Sequence, residues 1–324
     1  MIGAIAVPRA RMALSLRAQG RSRNLISRIA THLCYLLNLV FLRTRLANLM
    51  RRPGYAEIMF SESGYSSWRD EELRNQFLEH FRLQDVQAKD VLDFGCGKGE
   101  LSFLAISGGA LSVTGIDLDA GQIAAAQERL ANTAGIPRNV KFLCAKEPTI
   151  IPFPSDSVDV ILCFDVLEHV MQVQPILNEW YRVLRREGQV LIWWVPWLNP
   201  VGHHIESLVP IPWAHVFFPE PALVRTAAKV YDSPTFKPRL WDIDPQTGKK
   251  KPNKWKELQE LPGVNRLTIG QFERLVGATN FQITQFRLTG FRGSALSRFS
   301  NPLLQSKRFR EYVCANLDCR LYKA

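Results

Sequence analysis

From residue 88 to residue 196 the chain alternates between short apolar runs and helix-patterned stretches. "DVLDFGCGKGELSFLA" is an apolar strand, a glycine-rich turn and a helix start. "LSVTGIDLD" is a second strand, and "AGQIAAAQERLANTAG" a helix with Asp119 as its expected N-cap and Gly135 past its end. "NVKFLCAKE" reads as a third strand. "PFPSDSVDVILCFDVLEHV" supplies a turn, a fourth strand and a helix start, and "PILNEWYRVLRREGQVLIWWVP" a helix, a turn and a fifth strand. Strand alternating with helix implies an α/β fold with a parallel, doubly wound sheet. Ligands of such sheets bind outside the carboxyl ends of the strands.

The first turn narrows the ligand. Gly95, Gly97 and Gly99 form G-x-G-x-G, and glycines let backbone approach a ligand closely. A dinucleotide fingerprint is G-x-G-x-x-G; its third glycine would fall on Glu100 here. Asp93 stands two residues before the first glycine, and an acid suits a ligand bearing positive charge better than a pyrophosphate. Asp117 ends the second strand, where a carboxylate can accept both hydroxyls of a ribose.

"VLDFGCGKG", "GIDLD", "PFPSDSVDVILCFDVLEHV" and "YRVLRREGQVLI" together resemble the class I S-adenosylmethionine-dependent methyltransferases, of the type 11 kind, in order and spacing over residues 88–196. The resemblance implies a Rossmann-like sheet of seven strands, the last antiparallel. "TIGQFERLVGATNFQITQFRLTGF" would supply a helix and the sixth strand, and "REYVCANLDCRLYKA" a short helix and the seventh. It implies S-adenosyl-L-methionine as cofactor and methyl transfer, EC 2.1.1, as reaction. Asp93 and the loop of Gly95, Cys96, Gly97 and Gly99 would hold the methionine part. Asp117 would grip the ribose and Leu118 would lie along the adenine. Glu147 falls near the adenine amino group, although "CAKE" departs from the usual "GDA". Phe164 and Asp165 would border the methyl-donor pocket. Glu187-Gly188 replaces a common double glycine, a change in the turn.

Two regions fall outside this pattern. Residues 197–267, after the fifth strand, hold ten of the 19 prolines together with Trp197, Trp213, Trp241 and Trp255. A long segment leaving that strand end reads as a lid over the acceptor. Its "DPQTGKKKPNKWKE" stretch is polar and is expected to move. "NPVGHHIESLVPIPWAHVFFPE" brings His203, His204 and His215. No metal site is assigned there, because adjacent histidines in a strand point apart. A hydroxyl acceptor needs its proton removed, and histidine titrates near neutrality. His204 or His203 is the first expectation for the base, then His215, with His169 of "VLEHV" a further candidate. O-methylation is favoured over amine methylation because "CFDVLEH" stands where amine and amide methylases carry N-P-P-Y.

Residues 1–56 carry ten arginines, no lysine and no acid, so nearly all of the net charge of +11 sits there. The remainder has 31 basic and 30 acidic residues, which speaks against a nucleic-acid-binding body. Ile26, Ile29, Leu33, Leu36, Leu37 and Val40 recur at helical spacing, with Asn24 a possible cap. Three readings fit: a helix on an anionic membrane surface, a helix packed on the body, or an organelle-import peptide. The apolar run is too short to span a bilayer. The six cysteines form no C-x-x-C pair and read as reduced thiols of an intracellular protein.

The organisation expected is thus a basic arm, 1–56, and a methyltransferase domain, 57–324, with core 86–196 and 268–324 and lid 197–267. The acceptor expected is a small or lipid-like molecule with a hydroxyl. The location expected is cytoplasmic, with peripheral membrane contact or a mitochondrial address as alternatives. An RNA methyltransferase using the arm, and a cofactor-binding subunit without catalysis, are the rival functions.

Overall fold

The computed structural model describes residues 27–41, 62–133, 135, 139–291 and 293–324. They fall into two compact units. One joins 62–202 to 263–324 and is the core unit; the other joins 27–41 to 203–262 and is the arm-and-lid unit.

The core unit opens with helix α1 (Glu62–His80). Strand β1 (Asp90–Phe94), helix α2 (Glu100–Ser107), strand β2 (Ser112–Asp117), helix α3 (Ala120–Asn132) and strand β3 (Val140–Cys144) follow. Then come β4 (Val158–Phe164), α4 (Val173–Val183) and β5 (Leu184–Trp194). After the lid the chain adds α5 (Ile269–Gly277), β6 (Gln282–Thr289), α6 (Ser294–Leu304), α7 (Arg310–Val313) and β7 (Asn316–Tyr322). The seven strands form one sheet in the order β3-β2-β1-β4-β5-β7-β6, with β7 antiparallel to both neighbours. The doubly wound sheet of seven strands with the last antiparallel is the one expected from sequence; helix α1 and helix α6 had no counterpart in that reading.

Both faces of the sheet are covered, which explains the unbroken apolar strands. In β4, Ile161 and Cys163 join a core with Ile176, Leu177 and Trp180 of α4 and with Phe272 and Val276 of α5. Val160, Leu162 and Phe164 point the other way, into a core with Leu73 and Phe77 of α1 and Ile123 and Ala126 of α3. The order reverses between β1 and β4, so their carboxyl ends form the crevice of the sheet. Glu187, expected in a turn, lies within β5 where the pairing with β4 shifts register; it sits at φ 64 and its N–H donates to the Lys323 carbonyl at 2.7 Å.

In the arm-and-lid unit, residues 27–41 form a helix. Lid helix Glu220–Tyr231 contributes buried Leu223, Val224 and Ala227. The "DPQTGKKKPNKWKE" stretch differs from expectation. Asp244 Oδ1 accepts from the N–H groups of Gln246 and Thr247, at 2.9 and 2.8 Å, and Ile243 bridges Lys250. The Lys250 ammonium lies 4.1 Å from the Tyr231 ring centre, and Trp255 is buried. Local side-chain bonds and buried aromatic surface hold this turn in place.

Candidate cofactor and methyl-transfer site

The loop after β1 is fastened from two sides. The N–H groups of Gly95 and Cys96 donate to the Ile116 carbonyl of β2 at 2.8 and 3.0 Å. Gly97 N–H donates to Asp117 Oδ2 at 3.0 Å. Gly95 lies at φ 74 and Gly99 at φ 85, in the left-handed region. A Cβ on Gly95 would sit 2.5 Å from Val166 Cγ2, and one on Gly99 would sit 2.6 Å from the Phe142 ring. Conformation and close approach thus both require glycine. Cys96 is buried within the loop, and burial pushes its thiol pKa up, so it is an inert filler.

Asp93 lies beneath the loop, 2% exposed, accepting the Ser102 hydroxyl at 2.6 Å. Burial pushes its pKa up to about 7, and the nearby Glu100 and Asp117 charges add to the rise against the Ser102 bond. A cation at the loop would reverse that shift.

Asp117 accepts Asp119 N–H with Oδ1 at 2.9 Å while Oδ2 holds Gly97. A carboxylate has about four acceptor positions, so two remain for other donors. Asp119 caps α3, its Oδ1 accepting from Gly121 and Gln122 N–H at 2.7 and 3.2 Å. Leu118, at the strand tip, is 57% exposed, an apolar plate next to Asp117. Glu147 is exposed in the turn after β3. A sulfonium amino acid joined to a ribose and a flat base fits this set: acid below the loop, free carboxylate positions at the ribose, uncovered leucine beyond.

The turn after β4 packs on the same loop through Val166. Phe164 is turned away from the turn, its ring 5.8 and 5.6 Å from those of Phe77 and Phe81. Asp165 sits at φ 59, donates its N–H to the Trp193 carbonyl at 2.9 Å, and accepts Arg69 Nη2 at 2.7 Å. Glu168 is 2% exposed. Burial first, and the Asp165 charge second, push its carboxyl pKa well above the usual range.

The four histidines divide between the units. His169 belongs to the core unit, is exposed, and places Nδ1 2.5 Å from the Gly263 carbonyl. A carbonyl only accepts, so Nδ1 donates in this contact. His203, His204 and His215 belong to the arm-and-lid unit. They lie in turns and a short helix, not in a strand. His203 is 1% exposed, accepts Ile205 N–H on Nδ1 at 3.2 Å, and meets the His215 ring edge to face at 5.3 Å. Burial, and then His215, lower its pKa to about 3. Such a ring stays neutral across the working range and serves the turn. His204 is half-buried at φ 54.

Sequence reading passed over α1. Its Arg69 binds Asp165, and Glu72 accepts Arg69 Nη1 at 3.2 Å. Tyr65 packs on Trp68 with ring centres 5.8 Å apart. Burial raises the Tyr65 pKa, and Arg69, Glu100 and Asp165 all act on it, so the phenol belongs to this polar cluster. The only hint was an arginine set among acids in "SWRDEELR".

Comparison with known proteins agrees with this geometry. Residues 92–192 match the family model of the methyltransferase domain. An uncharacterized methyltransferase of Mycolicibacterium gilvum is 35% identical over 114 residues, 35% of this chain and 42% of that protein. The ubiquinone biosynthesis O-methyltransferase of Pseudomonas fluorescens is 32% identical over 106 residues, 33% of this chain and 44% of the relative. Phosphoethanolamine N-methyltransferase 1 of Arabidopsis thaliana is 32% identical over 129 residues, 40% of this chain and 25% of the relative. The chain thus spans less than half the length of these relatives. Residues 92–192 thus carry the methyltransferase domain of that family model, for which S-adenosylmethionine is the cofactor.

Proposed function

We propose that the whole chain is an S-adenosylmethionine-dependent O-methyltransferase acting on the hydroxyl of a small or amphiphilic acceptor. The observation that carries the reading is the glycine loop set between buried Asp93 and Asp117, with Leu118 uncovered beside it. When bound, the cofactor supplies a sulfonium methyl group for in-line displacement, which is chiefly a matter of positioning. Asp93 faces the cationic end, Asp117 takes ribose hydroxyls, and Leu118 covers a base face. The acceptor hydroxyl loses its proton to a histidine as the new carbon–oxygen bond forms. His169 is the base we favour, because its turn packs on the glycine loop through Val166. His204 follows, and His203 comes last, because a ring held near 3 is a poor base. The arm, 1–56, brings the enzyme to a membrane-held acceptor in this reading.

The test is calorimetric titration with S-adenosylmethionine and S-adenosylhomocysteine, then a screen of phenols, lipid-linked sugars and amino alcohols with labelled cofactor. Micromolar cofactor binding and a methyl ether product support the proposal. Methylated amine as the product would remove the O-methyl part. No cofactor binding would remove the enzyme reading.

A further inference from the structure

The helix 27–41 is docked by the side that hydropathy would leave in water. Thr31, Cys34 and Asn38 are its buried residues. Asn38 Nδ2 donates to the Leu208 carbonyl at 2.9 Å, Arg225 Nη1 donates to Ser27 Oγ at 2.8 Å, and the Lys229 ammonium lies 5.2 Å from the Tyr35 ring centre. The docked stripe is therefore small and polar, and it is held by side-chain hydrogen bonds.

The opposite side is apolar and open. Ile29, Leu33, Leu36 and Val40 lie one or two helical turns apart, on one face, and are 59, 51, 46 and 64% exposed. Leu37 and Leu39 flank them, at 45 and 37%. In the same unit, Phe217 of the lid is 72% exposed. Single exposed leucines are ordinary, but a run of six large apolar side chains on one short helix marks an interaction surface.

Charge selects the occupant. The sequence around this face, residues 1–56, holds ten arginines and no acid. A second copy of the chain would carry the same positive charge in its own residues 1–56, whereas an anionic lipid surface is complementary in both charge and apolarity. Fifteen residues make a helix about 22 Å long, enough to lie in an interface. Among the described residues no helix is long and apolar enough to cross a membrane.

We propose that helix 27–41 is a membrane-surface element. Its Ile29–Leu33–Leu36–Val40 face enters the acyl boundary of an anionic leaflet, and its Thr31–Cys34–Asn38 stripe grips the lid unit. This deepens the reading of an amphiphilic acceptor, but its test reads binding rather than turnover, so the two fail separately.

The full-length protein is floated with vesicles of phosphatidylglycerol and of phosphatidylcholine, beside the double variant Leu33→Glu/Leu36→Glu. Both positions are open to solvent, and a circular dichroism melt checks that the variant keeps its fold. Wild type is expected to bind phosphatidylglycerol vesicles, to bind phosphatidylcholine at least about tenfold more weakly, and to be weakened by salt. The double variant is expected to lose about tenfold or more of the vesicle affinity, with cofactor affinity unchanged. A wild type that ignores anionic vesicles overturns the proposal. So does a variant that binds them equally well. Sedimentation is run alongside: a wild-type dimer that the double variant converts to monomer would assign the face to a second copy, and would also overturn it.

Discussion

The core unit and the arm-and-lid unit each bury an ionisable side chain, and they do so with opposite results. Asp93 is buried beneath the loop that we propose holds the cationic cofactor, and burial raises its pKa to about 7. His203 is buried within a turn, and burial lowers its pKa to about 3. Both shifts oppose charge in an apolar setting. Asp93, however, lies where an arriving cation restores its charge, whereas His203 has its Nδ1 committed to Ile205 and its ring against His215. A buried titratable group points to function where its surroundings leave something for a ligand to complete.

The largest effect separating the two is expected at Asp117. Asp117→Ala removes the acceptor for Gly97 N–H and, in the proposed function, the ribose partner together. Loss of one or two charge-assisted hydrogen bonds predicts a fall of about two orders of magnitude in S-adenosylmethionine affinity. His203→Gln in the lid should leave that affinity within about twofold, since it contacts no cofactor in our reading. Equal losses in both, by calorimetry, would erase the functional distinction.

Gly95→Ala is next. It places a methyl group against Val166 at a positive φ, for an expected loss of about 1–3 kcal/mol and weaker cofactor binding. Val166→Ala added to it should recover part of the loss, because it removes the clashing methyls while the φ strain stays. A double variant no more stable than Gly95→Ala in urea denaturation would show that strain alone is responsible.

The pH dependence of stability sharpens the comparison, since the two groups have opposite signs. Asp93 binds its proton more tightly folded than unfolded, so its contribution to stability is full below pH 4 and falls as pH rises toward 7. His203 binds its proton less tightly folded, so its contribution is full above about 6.5 and is lost as pH falls toward 3. Each is worth on the order of a few kcal/mol across its window. Asp93→Asn should flatten the loss between pH 4 and 7, and His203→Gln the loss between 6.5 and 3, in denaturant titrations across pH. Saturating S-adenosylmethionine should lower the Asp93 midpoint, so cofactor affinity should rise with pH through 7.

The core could be read from sequence because each β–α step repeats one physical pattern. An apolar strand covered on both faces, a turn demanding glycine, and a capped helix leave local marks, and Asp93, Gly95, Gly97 and Asp117 sit in those marks. Arg69 and Tyr65 left none, because they join the cluster from a helix 96 residues from Asp165 in the case of Arg69. The lid lacks periodicity, and its order rests on local bonds such as those of Asp244 and on the burial of Trp255. The arm helix was visible as amphipathic. Hydropathy named its apolar face but not the docked one, because Asn38 and Ser27 find partners that only the folded lid provides.

Glu187 offers the smallest effect, and it tests how far a sequence departure in the core is merely tolerated. It stands at φ 64 within β5, in place of a glycine, with its N–H held by the Lys323 carbonyl at 2.7 Å. A left-handed non-glycine residue costs about 1–2 kcal/mol, while glycine returns part of that through the entropy of the unfolded chain. Glu187→Gly should therefore stabilise the core by about 0.5–1 kcal/mol, keep the Lys323 bond and leave cofactor affinity unchanged. The opposite sign in urea denaturation would mean that the glutamate side chain makes a contribution larger than the strain it imposes. The departure would then be a stabilising feature of this chain.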